Sequence, residues 1–151
     1  MLLMQLESRE KFSFLQLAHY LARIDNSYGE REDEIILSYC VEMGIENIDS
    51  FDISSFCLEE NLNDYKSQRS QKIILLELMI LIHIDNNFHI NEKDLIKKIT
   101  IKFGFDFKDI DDYSQWGKSV AMLYQVANIF INEASNNPFC PSAKFFAPSA
   151  R

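Results

Sequence analysis

The 151 residues suffice for one domain with a sizeable core, and 47% hydrophobic against 25% charged residues is a globular balance, not a disordered one. With 15 Lys and Arg against 23 Asp and Glu, the formal charge of −8 argues against nucleic acid or anionic lipid as a partner, because neutralising phosphate needs clustered cations. Only 4 Gly and 3 Pro are present, too little turn punctuation for a β-sandwich or barrel, so long helices are expected.

In chain order, the opening Met1-Leu2-Leu3-Met4-Gln5-Leu6-Glu7 lacks the basic and long apolar regions of a signal peptide. Phe14, Leu17, Ala18, Leu21 and Ile24 recur at helical spacing and predict an amphipathic helix from about Ser8 to Asp25-Asn26. Ser27-Tyr28-Gly29-Glu30 has the spacing of a capping box, in which hydroxyl and carboxylate satisfy opposite backbone N–H groups. Ile36, Tyr39, Cys40 and Met43 form the next stripe, which Gly44 ends. Residues 46–70 are polar but carry Ile48, Phe51, Ile53, Phe56, Leu58 and Leu62, too many large apolar groups for a free linker, so one or two short helices are expected.

From about Ser70 to Asp85 the chain is apolar nearly all round, the mark of a helix covered by its neighbours. Its most apolar window, residues 73–84, contains Glu77 and is too short to span a bilayer. Asn91 fits an N-cap, with Asp94 three residues on; Ile96, Ile99 and Phe103 follow as a stripe that stops at Gly104. After an acidic turn, Asp106 to Asp112, the residues Val120, Leu123, Tyr124, Ala127 and Ile131 predict a last helix from about Asp112 to Ala134. Residues 136–151 hold all three prolines and no helical stripe. We expect a helical domain over 1–135 and an extended or disordered tail over 136–151.

Residues 17–45 align without a gap on 77–105. Leu21 meets Leu81, Ile24 meets Ile84, Asp25 meets Asp85, Asn26 meets Asn86, Glu32 meets Glu92, Ile36 meets Ile96 and Gly44 meets Gly104. The matches fall on the stripe, the turn and the terminating glycine, so a duplicated helix–turn–helix unit is expected. The fold class is all-α, a compact bundle of about six to seven helices with an internal pseudo-twofold repeat.

Each turn runs Ile-Asp-Asn-x-aromatic-x-x-x-Glu, over 24–32 and 84–92. Asp25 and Asp85 stand at the carboxyl ends of helices, where the macrodipole disfavours a negative side chain and a bound cation would favour it. Glu32 and Glu92, in the first turn of the next helix, can reach back toward the aspartates. Oxygen ligands of this kind suit Ca²⁺, Mg²⁺, Mn²⁺ or Zn²⁺, without fixing which. The structural alternative is equally concrete: Asp and Asn form turns through their own side-chain hydrogen bonds, and a Glu in a first helical turn is stabilising by about 0.3–1 kcal/mol. The twelve-residue EF-hand loop is absent.

His83, His89 and Asp85 lie close enough in sequence to suggest zinc, but these histidines have no counterpart in the first unit, and a hydrogen-bonded structural role is favoured. Lys93, Lys97, Lys98 and Lys102 have the spacing of a solvated helix face. Cys40, Cys57 and Cys140 form no CxxC, consistent with a reducing cytoplasm. No GxSxG, GxxxxGK[ST], HExxH or GxGxxG occurs, so no catalytic residue is expected.

The stretch from Lys72 through His83-Ile84-Asp85-Asn86, then Asn91-Glu92-Lys93-Asp94-Leu95-Ile96 to Phe103-Gly104-Phe105, resembles the TerB-like tellurite-resistance family, and the resemblance covers roughly residues 8–134. It implies a non-enzymatic bacterial stress-response module, in tellurite resistance or phage defence, that binds metal ions through Asp25, Glu32, Asp85 and Glu92. It also implies a protein partner, including one at a membrane. Asn26 and Asn86 stand where the family commonly has Gly; Asn tolerates the left-handed backbone that such a turn needs. The alternative is a metal-free helical protein-protein interaction adaptor, with a second copy of the chain among its partners.

Overall fold

The computed structural model describes residues 1–26, 28–84 and 89–133. Among them are six α-helices, two short 3-10 turns and no strand, so the all-α expectation holds. The helices are α1 (Ser8–Arg23), α2 (Glu30–Met43), α3 (Leu58–Leu62), α4 (Gln68–His83), α5 (Ile90–Phe103) and α6 (Phe107–Glu133). The 3-10 turns are Leu3–Gln5 and Ile53–Ser55. The chain divides into two compact units, Met1–Ala121 and Met122–Arg151.

The first unit is built on α4. Its many isoleucines are mediocre helix formers in isolation, and burial on every side outweighs that propensity. Ile74, Leu75, Leu78 and Met79 are fully buried, each aliphatic side chain contributing about 1.5–3 kcal/mol through removal from water. Ser67 caps the start by accepting a hydrogen bond from the Ser70 N–H at 3.0 Å. Helices α1 and α5 pack against α4, and α1 also packs against α2 and α3. Phe14 of α1 meets Tyr39 of α2 edge to face, at 5.2 Å between centroids. The Tyr39 hydroxyl donates to the Glu77 carbonyl oxygen at 2.9 Å, tying α2 to α4.

Glu77 itself is completely buried. Its Oε1 accepts from the Met1 amino group at 2.9 Å and from the Leu2 N–H at 2.6 Å, while Oε2 has no partner. Glu42 of α2 completes the cluster, its Oε2 lying 2.7 Å from the same amine. A carboxylate in the core is tolerable here because a cation and a backbone donor come to meet it.

Both α2 and α5 end as the glycines predict. Gly44 and Gly104 adopt φ of 68° and 73°. The N–H groups of Gly44 and Ile45 reach the carbonyls of Val41 and Cys40, and those of Gly104 and Phe105 reach Ile101 and Thr100, the paired bonds of a Schellman motif.

Several helix starts differ from expectation. Helix α2 begins at Glu30 with Gly29 as N-cap, so Glu30 is the first helical residue and not the acidic half of a capping box; Ser27 lies outside the described residues. Helix α5 is capped by His89, whose Nδ1 accepts from the Asn91 N–H at 3.2 Å, so Asn91 is already inside the helix. Helix α6 starts five residues early: the Asp106 carboxylate accepts from the Lys108 N–H at 3.0 Å and acts as cap. The acidic stretch read as a turn is therefore that helix's first turns, where negative side chains suit the dipole. The expected tail over 136–151 lies outside the described residues.

Within the first unit, α6 crosses α4 at Gly117. A Cβ placed there would stand 2.4 Å from Met79 Cβ and 2.7 Å from the Met79 carbonyl carbon, so only glycine permits this approach. One turn earlier on α6, Ser114 Oγ lies 2.8 Å from His83 Nε2 of α4.

Candidate functional site

Between α1 and α2 the chain passes through residues 24–29, of which all but Ser27 are described. Helix α1 is followed by Ile24 and a half-buried Asp25, and Asn26 then takes the left-handed conformation at φ 59°. Glycine adopts that conformation freely, and a short amide side chain tolerates it.

A part-buried polar network centred on His19 flanks the turn. His19 Nδ1 lies 2.7 Å from Arg23 Nη1, and His19 Nε2 lies 2.7 Å from Asn47 Oδ1. Arginine can only donate, so Nδ1 is the acceptor and Nε2 carries the proton. Burial, together with the Arg23 charge, pushes the His19 pKa down, against the hydrogen bond to Asn47. The imidazole is held neutral. Arg23 also donates to the His19 carbonyl at 3.1 Å and lies 4.0 Å above the Tyr28 ring. Tyr28 donates to Asp33 at 2.6 Å, and burial with that partner pushes its pKa up to about 12.

Arg23 changes the electrostatic argument for the turn. A guanidinium in the last turn of α1 already meets the negative end of that helix dipole, the task first assigned to a bound cation. The two glutamates also have a structural task. Glu32 Oε2 accepts from the Gly29 N–H at 3.1 Å and Glu92 Oε2 from the His89 N–H at 2.8 Å, each satisfying a donor at its own helix start. Both side chains are buried.

One contact joins the start of α5 to the end of α1. Asn91 Nδ2 donates to the Ile24 carbonyl at 3.2 Å, setting the start of α5, which carries Glu92, against the end of α1, which precedes Asp25. Asp85 lies outside the described residues, so the second turn's aspartate is not located. Among the described residues no group of three or more His, Cys, Asp and Glu side chains could hold a metal ion. His83 and His89 are engaged with Ser114 and the Asn91 N–H respectively. A separate recess beside α1 contains Arg9, Asp64 and Asn61, but these bind one another's elements: Arg9 pairs with Asp64 at 2.9 Å, and Asn61 donates to the Ser13 carbonyl at 2.8 Å.

The stripe that predicts α6 is covered at only one of its positions. Val120 is buried, but Leu123 and Ile131 are 68% and 69% exposed, and Tyr124 and Ala127 are exposed too. From Ser119 to Asn132 the helix carries no Asp, Glu, Lys or Arg. A helix apolar on every side normally marks a covered element, and that charge-free run was the available signal. Among the described residues no helix is long and apolar enough to cross a membrane. No family model, curated protein or solved structure matches this chain.

Proposed function

We propose that this chain is a non-enzymatic helical docking module, which by its TerB-like motifs serves a bacterial stress response. The observation that carries the docking reading is the exposed, charge-free apolar half of α6, where Met122, Leu123, Val126, Ile129, Phe130 and Ile131 all face solvent. Contiguous apolar surface of this kind is uncommon on a protein that works alone. In dilute, monomeric protein, Ile129→Asp should reduce the binding of an environment-sensitive apolar dye while leaving the helical circular dichroism unchanged. Equal dye binding by the variant and wild type overturns the reading.

A second reading, divalent-cation binding at Asp25, Glu32, Asp85 and Glu92, is favoured by the Asn91–Ile24 bond that draws the start of α5 to the α1–α2 turn. Its test is thermal melting of chelator-stripped protein with Ca²⁺, Mg²⁺, Mn²⁺ or Zn²⁺. Ion binding raises the melting temperature of wild type, and Asp25→Ala with Asp85→Ala removes that rise. No rise at millimolar ion, or the same rise in the double variant, rejects it. The capping roles of Glu32 and Glu92 and the position of Arg23 supply a metal-free reason for three of the residues around these turns, which is why docking ranks first.

A further inference from the structure

We propose that the surface presented by α6 is covered by α6 of a second copy of the chain, running antiparallel; this rests on the docking reading and names its partner. Lys118, Met122, Val126, Ile129 and Glu133 recur at intervals of three and four residues, so they lie along one face of the helix. All five are exposed, the three apolar ones by 51%, 45% and 50%. The face is bounded by a cation at one end and an anion at the other, with nothing charged between.

That arrangement is self-complementary about a twofold axis near Val126. In an antiparallel pair Met122 of one copy meets Ile129 of the other, Val126 meets its own equivalent, and Lys118 comes beside the partner's Glu133 at both ends. A parallel pair would set Lys118 against Lys118 and Glu133 against Glu133, which repel. Two chains of charge −8 also repel each other in general, so self-association requires a contact patch free of acidic groups. The stretch from Ser119 to Asn132 meets that requirement.

The test is sedimentation equilibrium of the full chain, with the dye assay run in parallel. Wild type is expected to dimerise. Lys118→Glu or Glu133→Lys alone should weaken the dimer roughly tenfold, since each places two like-charged pairs at the contact, and the two together should restore it. Ile129→Asp should give a folded monomer. A dimer indifferent to the single charge reversals, or a double variant no better than either single one, overturns the antiparallel pairing. A monomeric wild type that still binds dye overturns the second copy as occupant but leaves docking to another protein standing. A monomer that binds no dye overturns both.

Discussion

Gly117→Ala is expected to destabilise the protein by about 1–3 kcal/mol, the usual cost of overpacking a closed interior contact. The sign is informative, because in an ordinary helix interior the same change gains up to about 1 kcal/mol from the better propensity of alanine. Here the added methyl group meets Met79 Cβ and the Met79 carbonyl carbon and oxygen, at 2.4, 2.7 and 2.9 Å. None of these is the free end of a flexible side chain, so no rotamer change relieves the overlap. Helices α4 and α6 must separate, which loosens the His83–Ser114 bond one turn away and exposes Val120. Urea unfolding measures it, with Ser119→Ala on the exposed side of the same helix as the control, expected to stay within about 0.5 kcal/mol of wild type. A Gly117→Ala protein as stable as wild type would show that the two backbones are not in contact.

The second large effect concerns Glu77 and the Met1 amine. Burial disfavours the charged amine, but the hydrogen bonds and charges of Glu42 and Glu77 outweigh it and hold its pKa above the usual 8.0. A group whose pKa is raised by folding contributes stability fully present below its unfolded value. That contribution is lost as pH rises from about 8 through the raised folded value. Stability should therefore decline over this alkaline window. Glu77→Gln keeps an acceptor for the Leu2 N–H but removes the buried charge. Breaking a wholly buried pair costs about 3–5 kcal/mol; with the amine about half exposed and Glu42 still beside it, we expect about 2 kcal/mol at neutral pH and a shallower alkaline decline. Urea midpoints between pH 7 and pH 10 measure both quantities. An unchanged midpoint at pH 7 together with an unchanged alkaline slope refutes the counter-ion role; acetylating the amine should reproduce the loss without altering Glu77.

Helical periodicity located all the long helices because burying one stripe is a local requirement that leaves its spacing in the sequence. Gly44 and Gly104 were equally legible, since a left-handed residue after a helix is almost a glycine signature. Helix starts were less so. Many polar residues can cap, and whether Ser27 or Gly29, Asn91 or His89 holds that position depends on where the preceding turn delivers the chain. At the candidate site, the motif placed Glu32 and Glu92 in the first turns of α2 and α5, where the structure has them. It gave no sign that each binds the N–H of its own helix start.

The link the sequence did not reveal is the one among Arg23, His19 and Asn47. They lie on α1 and in the segment after α2, and no spacing in the sequence relates His19 to Asn47; only the folding of that segment over α1 brings them to 2.7 Å. The same holds for Gly117 against Met79 and for Met1 against Glu77. By itself the sequence determined an all-helical chain and the glycine stops, because these follow from local propensity and periodicity. Tertiary structure decided which apolar stripe is covered. Val120 is buried and Leu123 is exposed on one continuous helix, because burial is a property of what lies opposite a residue and not of the residue itself.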